Sequence, residues 1–481
     1  MESKKNKLLI MGIDGASFDI IIPLIKKGKL PTYRKLMQEG IWGILKSTVP
    51  PVTCPAWPSF STGLEARNHG IFDWFWYDEN YKLQLNWGTD VKGKRYWDYL
   101  DDAGLICGVM NVPYVYPLRI KDGFKGFLIA GFLAAGNEAE KEFTYPAELK
   151  YELLSEGYEI ESPLADLEPA SDEKFLTVLM DGEEKRKEVA IKLIKEKEWD
   201  VFSLIFRHPE GIQHRFWKEG SMYIIEDVYE QMDKILGEII GAAEKKVGKL
   251  NVIVMSDHGF GRTPLYNFYL SRWLQEKGYL KVKSSVKVPL YSIYNFLIKI
   301  GFGKLRYFVK KNIKINRNIE ASVIWKDTKA WARMSEDIGL IYLNKKGKFA
   351  EGNVENDYDE VREKLIKDLA EIEHNNKKVV EKIWRKEELF GDSERAPDII
   401  IRIRPEYRGI CVMSNKIFED IPASQKLSWH SEKSVFVSAG PDIRRGRIEG
   451  ARLIDLAPTI LAFYNIKADE MDGKVLDIFK K

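Results

Sequence analysis

Four short, mainly apolar segments recur along this chain, and they constrain its fold more than any other feature. They are KLLIM at residues 7–11, VFSLIF at 201–206, NVIVM at 251–255 and VFVSA at 435–439. Runs of this length and character are typical of parallel strands buried on both faces of a sheet. Helix-like segments lie between them, at residues 30–39, 97–103, 171–197 and 227–246. This alternation predicts an α/β fold with a mostly parallel sheet sandwiched by helices.

A change of composition near residue 272 predicts an insertion into this core. Residues 281–317 carry ten Lys or Arg and no Asp or Glu, interleaved with aromatic side chains. The simplest interpretation is a helical segment with a solvated basic face; a lid that attracts an anionic substrate is one alternative, and contact with a membrane surface is another that we do not favour. Predicted strands at 330–344 and 397–403 around a helix at 358–372 indicate a small α+β unit. The predicted domains are therefore a core at 1–271 and 408–481, with an inserted cap at 272–407.

The composition excludes several classes of protein. A chain of 481 residues with 44% hydrophobic and 31% charged residues is typical of a globular, soluble protein. A net charge of +3 gives no global argument for nucleic-acid binding, and three scattered cysteines give neither a disulfide framework nor a CxxC metal site. The apolar run near the N-terminus is interrupted by Asp14, so it is too short for a signal peptide or a membrane span. We expect a cytoplasmic location.

Carboxylates and imidazoles follow most of the predicted strands directly. In a parallel sheet, ligands gather at the carboxyl ends of the strands. The chain has only six histidines, so their positions are informative. Each of these side chains alone is more often a core residue, a helix cap or a salt-bridge partner than a ligand. Together with the hydroxyl of Thr53, however, they supply the donors that metal-supported phosphoryl transfer needs: Asp14, Thr53, Glu210, His214, Asp257, His258 and His430.

Nine motifs, spread over nearly the whole chain, occur in the same order as in a known family. They are GIDGASFD (12–19), PPVTCPAWPSFSTG (50–63), HGIFD (69–73), EGIQHRFW (210–217), SDHGF (256–260), IYLN (341–344), APDIIIRI (396–403), WHSEKSVFVSAGP (429–441) and IDLAPTIL (454–461). The sequence resembles the alkaline phosphatase superfamily in its type I phosphodiesterase/nucleotide pyrophosphatase branch, and most closely the archaeal and bacterial proteins of that branch. The resemblance implies an alkaline-phosphatase-like core.

The resemblance also implies two divalent ions, with zinc expected first and manganese as the alternative. Asp14, Thr53, Asp257 and His258 would match the ligands of one ion. Glu210, His214 and His430 would match those of the other. Thr53 would then be the nucleophile, attack phosphorus and form a phospho-threonine that water hydrolyses.

Three positions depart from the family pattern. Glu210 stands where the family usually has Asp, so its carboxylate reaches about one bond length further. Trp74 occupies the position of an Asn that binds a phosphate oxygen in nucleotide pyrophosphatases, and Asn111 is a candidate replacement. Cys54 invites comparison with sulfatases, but their C-x-P-x-R pattern is absent, so we interpret Cys54 as a bystander.

The remaining histidines and aromatic residues receive simpler interpretations. His69 is expected to be structural, and His208 and His374 are expected in ordinary surface or loop positions. The aromatic run at residues 74–77 is expected to pack against the core, and a platform for a nucleobase is the alternative.

The sequence therefore predicts a metal-dependent hydrolase that cleaves phosphodiester or pyrophosphate bonds in a small-molecule phosphate diester or nucleotide. A phosphomonoesterase of the same superfamily is the first alternative. A non-catalytic relative that only binds anions is the second. No specific nucleic-acid partner is expected.

Overall fold

A computed structural model of the chain describes residues 6–131, 134, 141–160, 171–283, 322–422 and 428–480. In chain order its strands are β1 (Lys7–Ile13), β2 (Ile41–Lys46), β3 (Phe75–Tyr77), β4 (Leu83–Leu85), β5 (Cys107–Met110), β6 (Phe127–Ile129), β7 (Thr144–Tyr145), β8 (Val201–Phe206), β9 (Leu250–Met255), β10 (Gly259–Arg262), β11 (Tyr266–Tyr269), β12 (Ala330–Ser335), β13 (Ile338–Leu343), β14 (Glu373–His374), β15 (Lys377–Lys378), β16 (Val380–Arg385), β17 (Ile399–Ile403), β18 (Tyr407–Ile410), β19 (Phe418–Asp420), β20 (Trp429–Ser431), β21 (Lys433–Ala439), β22 (Gly446–Arg447) and β23 (Ala451–Arg452).

The helices connect and cover these strands. In chain order they are α1 (Phe18–Lys26), α2 (Pro31–Glu39), α3 (Thr53–Thr62), α4 (Ala66–His69), α5 (Tyr96–Asp102), α6 (Leu149–Ser155), α7 (Asp172–Glu196), α8 (His208–Phe216), α9 (Met222–Val247), α10 (Leu270–Glu276), α11 (Tyr358–Ala370), α12 (Lys386–Leu389) and α13 (Leu456–Ala462).

The central sheet has the strand order β22-β2-β21-β9-β1-β8-β5-β6-β7, with β23 beside β2. The pairs β9–β1, β1–β8, β8–β5 and β5–β6 are parallel, whereas β21 runs antiparallel to both β9 and β2. The four predicted apolar strands are therefore neighbours in the order β21-β9-β1-β8. The mostly parallel α/β fold expected from the sequence is confirmed.

Helices cover both faces of this sheet, which explains why its central strands are continuously apolar. Leu9 and Met11 of β1 face one hydrophobic layer, while Leu8 and Ile10 face the other. The first layer includes residues of α1, α2, α7 and α9, and the second includes residues of α3, α5 and α13. Both alternating faces of each strand are thus removed from water, as in other parallel sheets.

The predicted α+β unit forms a second sheet, with the antiparallel order β12-β13-β17-β16. It has its own hydrophobic cluster, to which Leu365 and Leu369 of α11 contribute. Tyr77 and Tyr81 from the hairpin of β3 and β4 also pack in this cluster. The Tyr81 ring stacks on Trp325 with 3.8 Å between centroids. The segment after α4 therefore joins the inserted unit to the core.

Most of the predicted basic segment, residues 281–317, lies outside the described residues. Its expected helical form, lid role and alternative membrane contact stay predictions. No helix in the described ranges has the length and apolar character needed to cross a membrane.

Candidate active site

The side chains predicted to bind metal converge at one edge of the central sheet. Asp14 directly follows β1, and Asp257 and His258 follow β9 after one intervening residue, Ser256. Glu210 and His214 lie on α8, which begins two residues after β8 ends. His430 lies in β20, just before β21, and because β21 is antiparallel its beginning lies at the same edge.

A first group of possible ligands comprises Asp14, Glu210 and His258, whose donor atoms all lie within 4.8 Å of one another. His258 Nε2 is 3.4 Å from Asp14 Oδ1 and 3.7 Å from Glu210 Oε1. It is also 3.4 Å from Asp257 Oδ2. All four residues are buried, so the group brings three carboxylates and one imidazole together away from water.

A second group comprises Glu210, His214 and His430. Glu210 Oε1 is 3.5 Å from His214 Nε2 and 3.1 Å from His430 Nε2. The two Nε2 atoms are 2.9 Å apart. The rings of His430 and His258 stack with 3.9 Å between centroids, so the two groups are adjacent. Glu210 is a member of both groups, whereas the sequence resemblance implies only the second.

The hydrogen bonds of the imidazoles suit metal ligands. His258 Nδ1 lies 3.1 Å from the carbonyl of Gly259, and His430 Nδ1 lies 3.2 Å from the carbonyl of Pro51. Because a carbonyl can only accept, each Nδ1 carries the proton and each Nε2 presents a lone pair to the site. Asp14 Oδ1, Asp257 Oδ2 and His258 Nε2 are buried without a hydrogen-bond partner. These residues therefore fit divalent cations.

The electrostatics of the site also favour the binding of cations. Burial, together with the charges of Asp257 and Glu210, raises the pKa of Asp14 well above its ordinary value. Burial and the charge of Glu210 raise the pKa of Asp257 to about 7. Burial, with a contribution from His258, lowers the pKa of His430 to about 3. The carboxylates thus repel one another, and the imidazole of His430 is neutral. Bound cations would offset the repulsion between the carboxylates.

A buried hydrogen-bond network fixes the loop of Asp14 against α8. Gln213 Nε2 donates to the Gly15 carbonyl at 3.0 Å, and the Tyr229 hydroxyl donates to Gln213 Oε1 at 3.0 Å. The same hydroxyl accepts from the backbone N–H of Ser17 at 3.0 Å. Gly15 has φ +70°, and a Cβ there would approach Gln213 Nε2 to 3.1 Å. The loop therefore needs glycine at this position to place Asp14.

Thr53 is the first residue of α3 and is 1% exposed. The loop before it is attached to the ligand-bearing segments at two points. Ser47 Oγ donates to the carbonyl of Asp257 at 2.6 Å, and the carbonyl of Pro51 accepts from His430 Nδ1. The structure thus places the Thr53 loop beside both groups of ligands.

The two candidate substrate residues, Asn111 and Trp74, each have contacts with other side chains. Asn111 follows β5 with φ +61°, and its amide is 2.5 Å from the Tyr158 hydroxyl. Trp74 packs against a small cluster that includes Val52 and Cys54, with its ring 5.9 Å from that of Tyr114. Their roles in substrate binding stay predictions.

The other aromatic residues of the run at 74–77 also have packing partners. The guanidinium of Arg333 lies 5.1 Å from the Phe75 ring, and that of Arg395 lies 4.1 Å from the Trp76 ring. Tyr77 is buried in the second cluster. These contacts agree with the packing interpretation.

The three remaining histidines lie outside both groups. His69 is buried, with its Nε2 2.9 Å from Ser59 Oγ and its Nδ1 accepting from the backbone of Ile71, which agrees with a structural role. The surface or loop assignment is wrong for His208, which is 1% exposed because it begins α8 beneath α7. His374 is partly exposed, as a surface position requires, although it lies in the two-residue strand β14 with its ring stacked on Phe418.

Two charged residues of the site were missed by the sequence reasoning. Arg207 directly follows β8, and its Nη1 is 3.2 Å from Asp14 Oδ2 and 3.3 Å from Glu210 Oε2. Because Arg207 follows a predicted strand, its position in the sequence could have identified it as a residue of the site. Glu336 lies in the turn between β12 and β13, with Oε1 3.9 Å from His430 Nδ1. It belongs to the inserted unit, and its sequence neighbourhood gave no such signal.

Comparison with known proteins identifies the family. The sequence profile of the type I phosphodiesterase / nucleotide pyrophosphatase family matches residues 8–410. The chain belongs to this family. It is accordingly a hydrolase of the phosphodiesterase/pyrophosphatase type. No match is found among curated proteins.

Solved structures share the fold at low sequence identity. Murine ectonucleotide pyrophosphatase/phosphodiesterase 5 is 15% identical, with a TM-score of 0.57 over 98% of this chain and 100% of that one. Phosphonoacetate hydrolase from Sinorhizobium meliloti, in complex with phosphonoformate, is 14% identical, with a TM-score of 0.61 over 96% of this chain and 95% of that one. Both similarities span nearly the whole of each chain, so the inserted unit is included in the shared architecture.

Proposed function

We propose that this protein hydrolyses a phosphodiester or pyrophosphate bond in a small anionic substrate, with two divalent cations and with Thr53 as the nucleophile. The single observation that carries this proposal is the convergence of two ligand groups beside the loop of Thr53. Three of the oxygen and nitrogen atoms that could coordinate a metal there are buried without a hydrogen-bond partner. A cation is the ligand that satisfies such a set of acceptors.

In this proposal Asp14, Thr53, Asp257 and His258 hold one cation, and His214 and His430 hold the other together with Glu210. Zinc is the first expectation, because imidazole nitrogen and carboxylate oxygen both suit it, and manganese is the alternative. When bound, the cations favour the deprotonated form of the Thr53 hydroxyl and stabilise negative charge on the phosphoryl and leaving oxygens.

Thr53 supplies the attacking oxygen; one substituent of the phosphorus departs with its oxygen, and Thr53 becomes a phospho-threonine that keeps the substrate's second substituent. Its position at the beginning of α3, a helix of ten residues, favours this step. The N-terminus of a helix carries partial positive charge and unpaired N–H groups, both of which stabilise a phosphoryl anion. Water then hydrolyses the phospho-threonine and regenerates the hydroxyl.

The ligands of two structural neighbours support a small anionic substrate. An inactive variant of murine ectonucleotide pyrophosphatase/phosphodiesterase 5 was solved in complex with AMP, with a TM-score of 0.58. The phosphonoacetate hydrolase was solved with phosphonoformate. Both ligands are small and carry a phosphate or phosphonate group.

A phosphomonoesterase is the second candidate, and Arg207 is the observation that favours it. Dianionic monoesters typically need an additional cationic side chain near the phosphoryl group. Arg207 supplies a guanidinium at this site, although Asp14 and Glu210 already contact it. We prefer the diesterase because these two carboxylates largely neutralise that charge.

The test compares bis(p-nitrophenyl) phosphate with p-nitrophenyl phosphate, using protein stripped with chelator and reloaded with zinc or manganese. We expect the metal-loaded protein to turn over the diester faster than the monoester. Thr53→Ala should lower kcat at least about a thousandfold, because the nucleophile is removed. Thr48→Ala in the same loop is the matched control, since its hydroxyl donates a hydrogen bond to the nearby Pro50 carbonyl at 2.7 Å.

Faster turnover of the monoester would favour the second candidate. Bound metal without turnover of either substrate would instead support the non-catalytic alternative.

A further inference from the structure

The carboxylate of Glu210 lies between the two groups of ligands instead of belonging to one of them. Its Oε1 is 3.1 Å from His430 Nε2 and 3.5 Å from His214 Nε2 on one side. On the other side the same oxygen is 3.7 Å from His258 Nε2. One oxygen atom is therefore surrounded by three imidazole nitrogens from both groups.

Hydrogen bonds from neutral imidazoles do not explain two of these three contacts, those of His258 and His430. His258 and His430 each direct their Nδ1 proton to a backbone carbonyl, so the Nε2 atoms facing Glu210 are acceptors. A carboxylate oxygen is also an acceptor. Acceptors that face one another at 3.1 and 3.7 Å repel unless a cation lies between them. The contacts on both sides of Oε1 thus call for a cation on each side.

Arg207 fixes the other oxygen of the same carboxylate. Its Nη1 is 3.3 Å from Glu210 Oε2 and 3.2 Å from Asp14 Oδ2. Oε1 is consequently directed into the space between the two groups. An aspartate at this position would end one methylene, about 1.5 Å, short of it.

We propose that Glu210 is a ligand shared by both cations, so that the two metal sites fill as a coupled pair. This inference rests on the proposed two-cation function. Asp14 and His214, by contrast, each belong to only one group. Removing either should disturb one site, whereas shortening Glu210 should break the connection between the two.

The experiment is manganese binding followed by electron paramagnetic resonance on phosphate-free protein. Wild type should bind two Mn²⁺ per chain and give an exchange-coupled spectrum, because a carboxylate shared by two ions transmits coupling. Glu210→Asp should still bind two ions, with the dissociation constant of the weaker one raised about 10- to 100-fold. Its spectrum should be that of uncoupled Mn²⁺.

The single-site controls are Asp14→Asn and His214→Ala, each of which should weaken one ion but keep the coupled spectrum once manganese fills both sites. Two ions without coupling in wild type, or full coupling in Glu210→Asp, would overturn the shared-ligand proposal and leave the proposed function standing. Fewer than two ions in wild type would overturn the proposed function itself. Because the number of ions bound by wild type and the wild-type spectrum each decide one of these outcomes, the test does not depend on folding of the variants.

Discussion

Replacing Arg207 with methionine tests how the buried charges of the site are balanced. The guanidinium lies 3.2 Å from one carboxylate, of Asp14, and 3.3 Å from another, of Glu210. The Arg207 side chain is 12% exposed, and the two carboxylate side chains are 0% and 7% exposed. Methionine keeps much of the length and apolar contact of arginine but removes the charge.

The expected magnitude follows from this burial. Removing one partner of a buried ion pair costs about 3–5 kcal/mol, because the other charge stays buried without compensation. We expect a loss in this range for the chelator-treated protein. Bound cations would neutralise the same carboxylates, so the loss should be clearly smaller in the metal-loaded protein.

The assay is urea unfolding of wild type and Arg207→Met, each with chelator and with metal. Arg385→Met is the matched control, because Arg385 pairs with Glu363 at 2.7 Å on the surface, where both side chains are more than 40% exposed. Such a pair contributes about 0–1 kcal/mol. A loss for Arg207→Met below about 1 kcal/mol in chelator, or an equal loss with and without metal, would show that this guanidinium does not compensate the buried carboxylates.

Three further predictions follow from the same contacts. Tyr229→Phe should reduce the free energy of unfolding in urea by about 1–3 kcal/mol. The substitution leaves the buried N–H of Ser17 and Oε1 of Gln213 without their hydrogen-bond partner. No change would mean that water replaces the hydroxyl. Glu210→Asp should keep kcat within about tenfold of wild type at saturating metal, whereas Glu210→Ala should lower kcat far more. Equal, small effects of both substitutions would mean that Glu210 is not a metal ligand. In chelator, burial and Glu210 raise the pKa of Asp257 to about 7, so the folded state binds this proton more tightly than the unfolded state. The stability contributed by this group is lost as the pH rises, so the melting temperature of wild type relative to Asp257→Asn should fall between about pH 4 and 7, and metal-loaded protein should show the opposite trend.

The sequence predicted the sheet and the positions of its ligands because both depend on local features. Short apolar runs mark buried strands, and residues that follow parallel strands must meet at one edge. Asp14, Asp257 and His258 come together for this reason alone. The predictions for the strands, the helices around them and the helix of the inserted unit all correspond to elements of the structure.

What the sequence could not predict depends on packing between distant segments. Glu336 reaches His430 only because the inserted unit docks beside the core. His208 is buried because α7 covers the beginning of α8, whereas a surface or loop position was expected. The shared position of Glu210 depends on side-chain directions that Arg207 helps to set. None of these features has a periodicity or spacing that a single sequence reveals.

The most direct test of the account is to trap the enzyme during turnover of a diester and locate the phosphoryl group. Metal-loaded protein is mixed with bis(p-nitrophenyl) phosphate and quenched in acid, and its peptides are analysed by mass spectrometry. We expect a peptide in which Thr53 carries a p-nitrophenyl phosphoryl group, because only one nitrophenolate leaves in the first step, and we expect this peptide to be absent from Thr53→Ala. Steady turnover without any phosphorylation of Thr53, together with substantial activity in Thr53→Ala, would contradict it.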